Sequence, residues 1–188
     1  MARIVLVGDS ISAGYEDGVR KILGGRGHDV FRVAAGDTTK VLEAIQAIAA
    51  LAPDLVHVNA GLHDLKVEKT TGAHQVEPAD YERKVPEIFR RLAAETSARV
   101  VFAKTTPVID ERHNSTKPFF RYDRDVALYN EIAVRAAAAA GAAIDDLNRV
   151  VEEACPAKCL EADGVHMTGE ANALLAEKVA ESVLANLE

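Results

Sequence analysis

Arg3-Ile4-Val5-Leu6-Val7-Gly8-Asp9-Ser10-Ile11 is the stretch from which the fold is read. A strand with one wet face would alternate apolar and polar residues. Here Ile4 to Val7 are aliphatic without a break, which suits a strand buried on both faces of a parallel sheet. Gly8-Asp9-Ser10 then makes a turn. A helical segment follows over residues 11–23, stopped by the glycines at 24, 25 and 27.

The same alternation recurs down the chain. Short apolar, β-branched runs at 29–34, 55–60, 99–104 and, more weakly, 142–147 read as further strands. Between them lie helical periods. Residues 38–51 place Val41, Leu42, Ile45 and Ile48 on one face, and Pro53 stops the helix. Residues 79–96 carry Ile88, Phe89 and Leu92, with Pro86 either kinking the helix or beginning its main part. Residues 123–140 carry Val126, Tyr129, Ile132 and Ala133, and Gly141 is a C-terminal stop. Residues 169–187 carry Leu175, Val179, Val183 and Leu187, with Thr168 as the N-cap. Successive βα units joined by right-handed connections predict an α/β fold. The expected architecture is a three-layer α/β/α sandwich, flavodoxin-like, on a five-stranded parallel sheet of order 2-1-3-4-5. It fills a single domain, 1–188.

Composition excludes several function classes. The 188 residues carry 22 Lys plus Arg against 29 Asp plus Glu, a net charge of −7. That balance argues against a nucleic-acid binder, which shows a basic stripe. No apolar run approaches the roughly 20 residues of a membrane span. Aromatic residues are only 5% and Trp is absent, so a broad stacking platform is not expected. The chain opens without a basic n-region, long apolar core or cleavage site, which makes cytoplasmic the default location. A chain whose signal had been removed would read the same. Cys155 and Cys159 are expected to be free thiols.

Four segments carry the chemistry: Gly8-Asp9-Ser10, Gly36-Asp37-Thr38, Gly61-Leu62-His63-Asp64 and Asp163-Gly164-Val165-His166. Ser10 stands where a strand becomes a helix, so backbone N–H groups and the positive helix end surround its hydroxyl. Taken alone, it reads equally as a helix cap. A Ser hydroxyl needs a base within hydrogen-bond reach to act as a nucleophile. Asp163, three residues before His166, supplies the pattern that fixes an imidazole's tautomer and frees its other nitrogen for a proton. Taken alone, that pair reads as a cap and a surface histidine.

Together, and in this order, the four blocks resemble the SGNH hydrolase superfamily, the GDSL-type esterases and lipases. The resemblance spans nearly the whole chain. It implies a serine ester hydrolase working through an acyl-enzyme, with Ser10 as nucleophile, His166 as base and Asp163 as orienting acid. It implies an oxyanion hole from the N–H groups of Ser10 and Gly36, and no metal or organic cofactor. Asp9, Leu62 and Val165, within the blocks, are expected to touch substrate. One departure stands out: the third block of the family is Gly-x-Asn-Asp, and here His63 replaces the Asn. An imidazole also carries an N–H donor, so His63 is expected to serve as the third oxyanion donor. The alternative is that it packs locally and the hole runs on two backbone donors.

The partner implied is a small-molecule ester; the oligomeric state is not readable. Short-chain esters, lysophospholipids, thioesters and acetylated sugars all remain open. A rival from another class is a non-catalytic flavodoxin-like binding domain. Two connections, 62–78 and 109–122, are longer than packing needs. The second, with Arg112, His113, Phe119, Phe120 and Tyr122, reads as a substrate-facing loop or as a surface loop pinned by its aromatics. His57 reads as a core histidine. His28, His74 and His113 lack metal-ligand spacing, and Lys66-Val67-Glu68-Lys69 reads as a solvated face.

Overall fold

In a computed structural model describing residues 1–187, five strands lie side by side in one parallel sheet. The elements begin with β1 (Arg3–Gly8), α1 (Ser10–Gly24), β2 (Asp29–Ala34), α2 (Thr38–Ala50), β3 (Leu55–Val58), β4 (Val67–Glu68) and α3 (Pro78–Glu95). They continue with β5 (Arg99–Ala103), α4 (Asp110–Thr116), β6 (Phe119–Phe120), α5 (Asp123–Ala139) and β7 (Ala143–Asp145). The chain closes with α6 (Leu147–Glu153), α7 (Pro156–Cys159) and α8 (Gly169–Leu187).

The sheet order is β2-β1-β3-β5-β7, with every pair parallel. Apart from the two-residue strands β4 and β6, this is the expected order 2-1-3-4-5. Ile4, Val5, Leu6 and Val7 are fully buried because β1 is an interior strand covered on both faces. Helices α1 and α8 pack together on one face, and α2, α3 and α5 on the other. Such an order leaves a crevice at the carboxyl ends of β1 and β3, where the chain turns from one face to the other.

Pro86 neither ends nor restarts its helix. It sits inside a continuous α3 on the solvent face, so water can reach the carbonyl its missing N–H leaves free. The buried stripe Tyr81, Val85, Ile88, Phe89 and Leu92 holds the helix to the sheet. The third strand stops at Val58 and the last spans only three residues, both shorter than the apolar runs suggest.

The two long connections carry structure that the periodicity did not show. β4 and β6 pair antiparallel, Val67 with Phe120 and Glu68 with Phe119, so the loops are tied to each other. Helices α4, α6 and α7 are four to seven residues long, too short to display a period. His57 is buried in β3 with Nε2 2.9 Å from Asp145 Oδ2 of β7. Cys155 is exposed and Cys159 buried, and both are free thiols. No helix among the described residues is long and apolar enough to cross a membrane.

Candidate active site

Ser10 is the first residue of α1 and is exposed at the carboxyl edge of the sheet. Asp9 sets this geometry. Its Oδ1 accepts from Ile11 N at 2.9 Å, capping α1, a contribution of about 1 kcal/mol. The cap leaves Ser10 Oγ free to face the loop before α8. There it lies 2.8 Å from His166 Nε2. His166 Nδ1 in turn lies 2.6 Å from Asp163 Oδ2. Asp163 Oδ1 accepts from the N–H groups of Val165 and His166, each at 3.0 Å, which fixes the carboxylate independently of the imidazole. Burial raises the Asp163 carboxyl, but hydrogen bonds from His166 and Val165 outweigh it, and the net direction is well down. It stays ionised beside the ring.

The loop carrying Asp163 is braced from below. Ile109 N donates to Gly164 O at 2.8 Å, and Arg112 donates to the carbonyls of Leu160 and Ala157. Gly164 has φ +70°, and a Cβ there would stand 2.6 Å from Ile109 O, so only glycine fits. Arg112 therefore supports the acid–base loop from the side away from Ser10. His113 is wholly buried, and its ring stacks near Phe119 with centroids 5.3 Å apart. Neither matches a substrate-facing role. Phe119, Phe120 and Tyr122 remain half-buried.

The N–H groups of Ser10 and Gly36 meet no acceptor among the described residues. Both residues line one cleft with His63, a cavity of about 710 Å³. Its walls include Ala13, Ala34, Ala35 and Ala44, with the exposed Lys40–Glu43 ion pair at one edge. Within the cleft His63 Nδ1 is 3.0 Å from Lys66 Nζ, while Nε2 makes no hydrogen bond among the described residues. Burial first, then the charges of Lys66 and Arg121, push the imidazole down to about 4. It is neutral in the ordinary working range.

These positions invite comparison with known proteins. A sequence profile of the GDSL-like lipase/acylhydrolase family matches residues 6–174. The chain belongs to that family.

Solved structures of this GDSL-like family and its relatives share the fold. A lipase/acylhydrolase from Enterococcus faecalis superposes with a TM-score of 0.83 at 20% identity, covering 100% of this chain and 98% of its own. An acetyl xylan esterase superposes with a TM-score of 0.78 at 18% identity, covering 96% and 99%. A GDSL-like lipase from Bacteroides thetaiotaomicron gives 0.74 at 16%, covering 98% and 88%. The sequence matches no protein of curated function. As a GDSL-like acylhydrolase the chain is an ester hydrolase of the SGNH type.

Two of the three residues expected at the substrate, Leu62 and Val165, are withdrawn from it. Leu62 and Val165 are buried in the core, where their side chains fill space beneath the site. Asp9 is buried too. Burial raises its carboxyl, against the Ile11 bond and the charge of Arg121. Its side chain serves α1, and Oδ2 has no partner among the described residues. Small motif residues beside a catalytic group are as readily needed to shape the turn as to touch the ligand. Asp64 does not orient His63 either. It turns inward, accepting from Thr38 N at 3.0 Å and Thr38 Oγ1 at 2.6 Å, and so holds the head of α2.

Sequence reasoning missed Lys66, Lys117 and Arg121. Lys66 is turned inward and half-buried, not part of a solvated face. Lys117 Nζ stands 3.6 Å from Asp163 Oδ2. Arg121 is only 5% exposed, donates through Nε to Leu62 O at 2.9 Å and lies over the Phe119 ring. Nothing in local sequence marks these three. Lys66 reaches His63 by a turn three residues long, while Lys117 and Arg121 flank β6, which pairs with β4. Among the described residues no group of three or more His, Cys, Asp and Glu side chains is placed to hold a metal ion.

Proposed function

We propose that the chain is a serine esterase that cleaves carboxylic esters through an acyl-enzyme. The observation that carries this reading is the unbroken relay Ser10 Oγ, His166, Asp163, with spacings of 2.8 Å and 2.6 Å. The Ser10 hydroxyl donates to Nε2, and the Nδ1–H donates to Asp163. Attack of Oγ on the ester carbonyl transfers the Ser10 proton to His166. The carbonyl oxygen becomes an oxyanion, held by the N–H groups of Ser10 and Gly36 and by His63 Nε2–H. When the tetrahedral adduct collapses, His166 returns the proton to the leaving alcohol. A water then gives a proton to His166 as it attacks the acyl carbon; collapse breaks the bond to Oγ, which takes the proton back from His166 as the carboxylic acid leaves.

The cleft beside Ser10, about 710 Å³ and partly walled by alanines, leaves room for a carboxylic ester. A carbohydrate O-deacetylase is a second reading, supported by the likeness to an acetyl xylan esterase. Lysophospholipase and thioesterase activities have no comparable support.

The test is intact mass after treatment with a fluorophosphonate, run beside Ser10→Ala. One adduct on the wild type and none on the variant is the expected result. Hydrolysis of a p-nitrophenyl ester series, with acetylated xylo-oligosaccharides alongside, then reads the acyl and alcohol preference. A folded wild type that takes no adduct would shift the weight to the binding-domain reading.

A further inference from the structure

We infer that Lys66 is a positioning residue for the oxyanion hole: its ammonium binds His63 Nδ1 and thereby places the imidazole proton on Nε2, the ring nitrogen left free to donate. The inference rests on the reading of His63 as an oxyanion donor and explains how a histidine can do the work of an amide.

An Asn side chain offers a fixed N–H pair. A neutral imidazole offers one N–H on either of two nitrogens, and the other nitrogen repels an oxyanion. His63 would obstruct catalysis half-made, with the proton on Nδ1 and a lone pair in the cleft. The ring's partners decide the question. An ammonium has three donors and no acceptor, so at 3.0 Å from Lys66 Nζ the Nδ1 atom must accept. The proton is left to Nε2, which makes no hydrogen bond among the described residues and belongs to a residue lining the cleft with Ser10 and Gly36.

Lys66 is held for this task from several sides. Its N–H donates to His63 O at 3.3 Å, a turn that folds residue 66 back beside residue 63. Its carbonyl accepts from Gln75 N at 2.7 Å. Its Nζ sits 5.0 Å from the centroid of Phe119, which β6 brings in by pairing with β4. No carboxylate lies within salt-bridge distance of Lys66 among the described residues, so its charge is not spent on a surface pair. The other charged or titratable groups around His63 are Arg121 just after β6, Asp37 before α2 and His166 from the loop before α8. Arg121 and Lys66 both oppose a second proton on the ring, and burial acts the same way. The two long connections thus tie a second histidine into the site by way of one lysine.

The experiment uses the full chain and p-nitrophenyl acetate. Two-bond ¹H–¹⁵N spectra of imidazole-labelled protein at pH 7, assigned with His63→Asn, read the tautomer directly. The expected wild-type signal is the Nε2–H form. Lys66→Met, which keeps the stem over Phe119, should give a mixture of tautomers. It should also lower kcat about tenfold with KM changed less than twofold, while Lys66→Arg keeps most of the rate. In a His63→Asn background the same Lys66→Met change should alter kcat less than twofold, because an amide has no tautomer to fix.

A wild-type Nδ1–H form overturns the inference, as does a tautomer unmoved in Lys66→Met. An equal loss of rate in the His63→Asn background also overturns it, since Lys66 would then act elsewhere. A His63→Ala variant that keeps more than a third of wild-type kcat defeats the oxyanion reading itself. The spectra show whether the lysine contact failed with it.

Discussion

The His63 ring packs against Gly36 so closely that a Cβ on residue 36 would stand 2.9 Å from Nδ1. The side chain proposed to replace the family's Asn as a donor is therefore seated on the residue whose backbone N–H is proposed to share that task. Gly36→Ala should push the ring away and disturb two donors at once. Loss of one such donor costs on the order of 10²–10³ in kcat. We expect a loss in that range with little change in thermal midpoint. In a His63→Ala background the effect of Gly36→Ala should shrink, because the ring it displaces is gone. Kinetics of both singles and the double check this.

Asp163 is held by three donors, two from backbone and one from the ring it orients. In Asp163→Asn the amide must turn a donor toward one of them. A side chain turned that way favours the wrong imidazole tautomer, and the expected loss is about 10³–10⁴ in kcat. The net downward shift also makes Asp163 a stabilising carboxylate. Its contribution is present above the ordinary carboxylate range and is lost as pH falls through the native value. Urea titrations of wild type and variant between pH 3 and pH 7 should converge toward the acid end.

Asp64 has the opposite sign. Burial, only partly offset by its bonds from Thr38, pushes its carboxyl up to about 6. Between about pH 4 and about pH 6 the native state therefore holds a proton that the unfolded chain has released. Its stabilising share is present below pH 4 and falls as pH rises to 6. Asp64→Asn keeps an acceptor for Thr38 and carries no charge. Relative to wild type it should gain stability from pH 4 to pH 8, by up to about 3 kcal/mol at roughly 1.4 kcal/mol per unit. Chemical denaturation at the two pH values reads the difference. No gain would mean that Thr38 and the head of α2 compensate the charge.

Ala52, exposed after α2, has φ 48°, a left-handed conformation that is costly for any residue with a Cβ. The cost is about 1–2 kcal/mol, against about 0.5–1 for the extra chain freedom of glycine. Ala52→Gly should thus stabilise by up to about 1 kcal/mol and raise the thermal midpoint by a few degrees. It lies outside the site residues, so esterase rate should not move.

Much of this protein is legible in its sequence because the physics is local. Unbroken aliphatic runs and 3.6-residue periods announce buried strands and amphipathic helices. Ser10, Asp163 and His166 stand at turns that local chemistry already marks. The tertiary structure alone decided what fills the remainder of the site. Leu62 and Val165 face the core because the turns that carry them are folded inward, a direction no motif encodes. Asp64 serves Thr38 and not His63, since the turn after β3 sends these consecutive side chains to different partners. Lys117 and Arg121 flank β6 and come to the site with a pairing of two-residue strands some fifty residues apart in sequence, too short to leave a period. Helix and strand patterns arise from neighbours along the chain, so a sequence displays them. A local turn sets Lys66 beside His63, but the packing of Arg121 and Phe119 around them is long-range, and no pattern along the chain displays it.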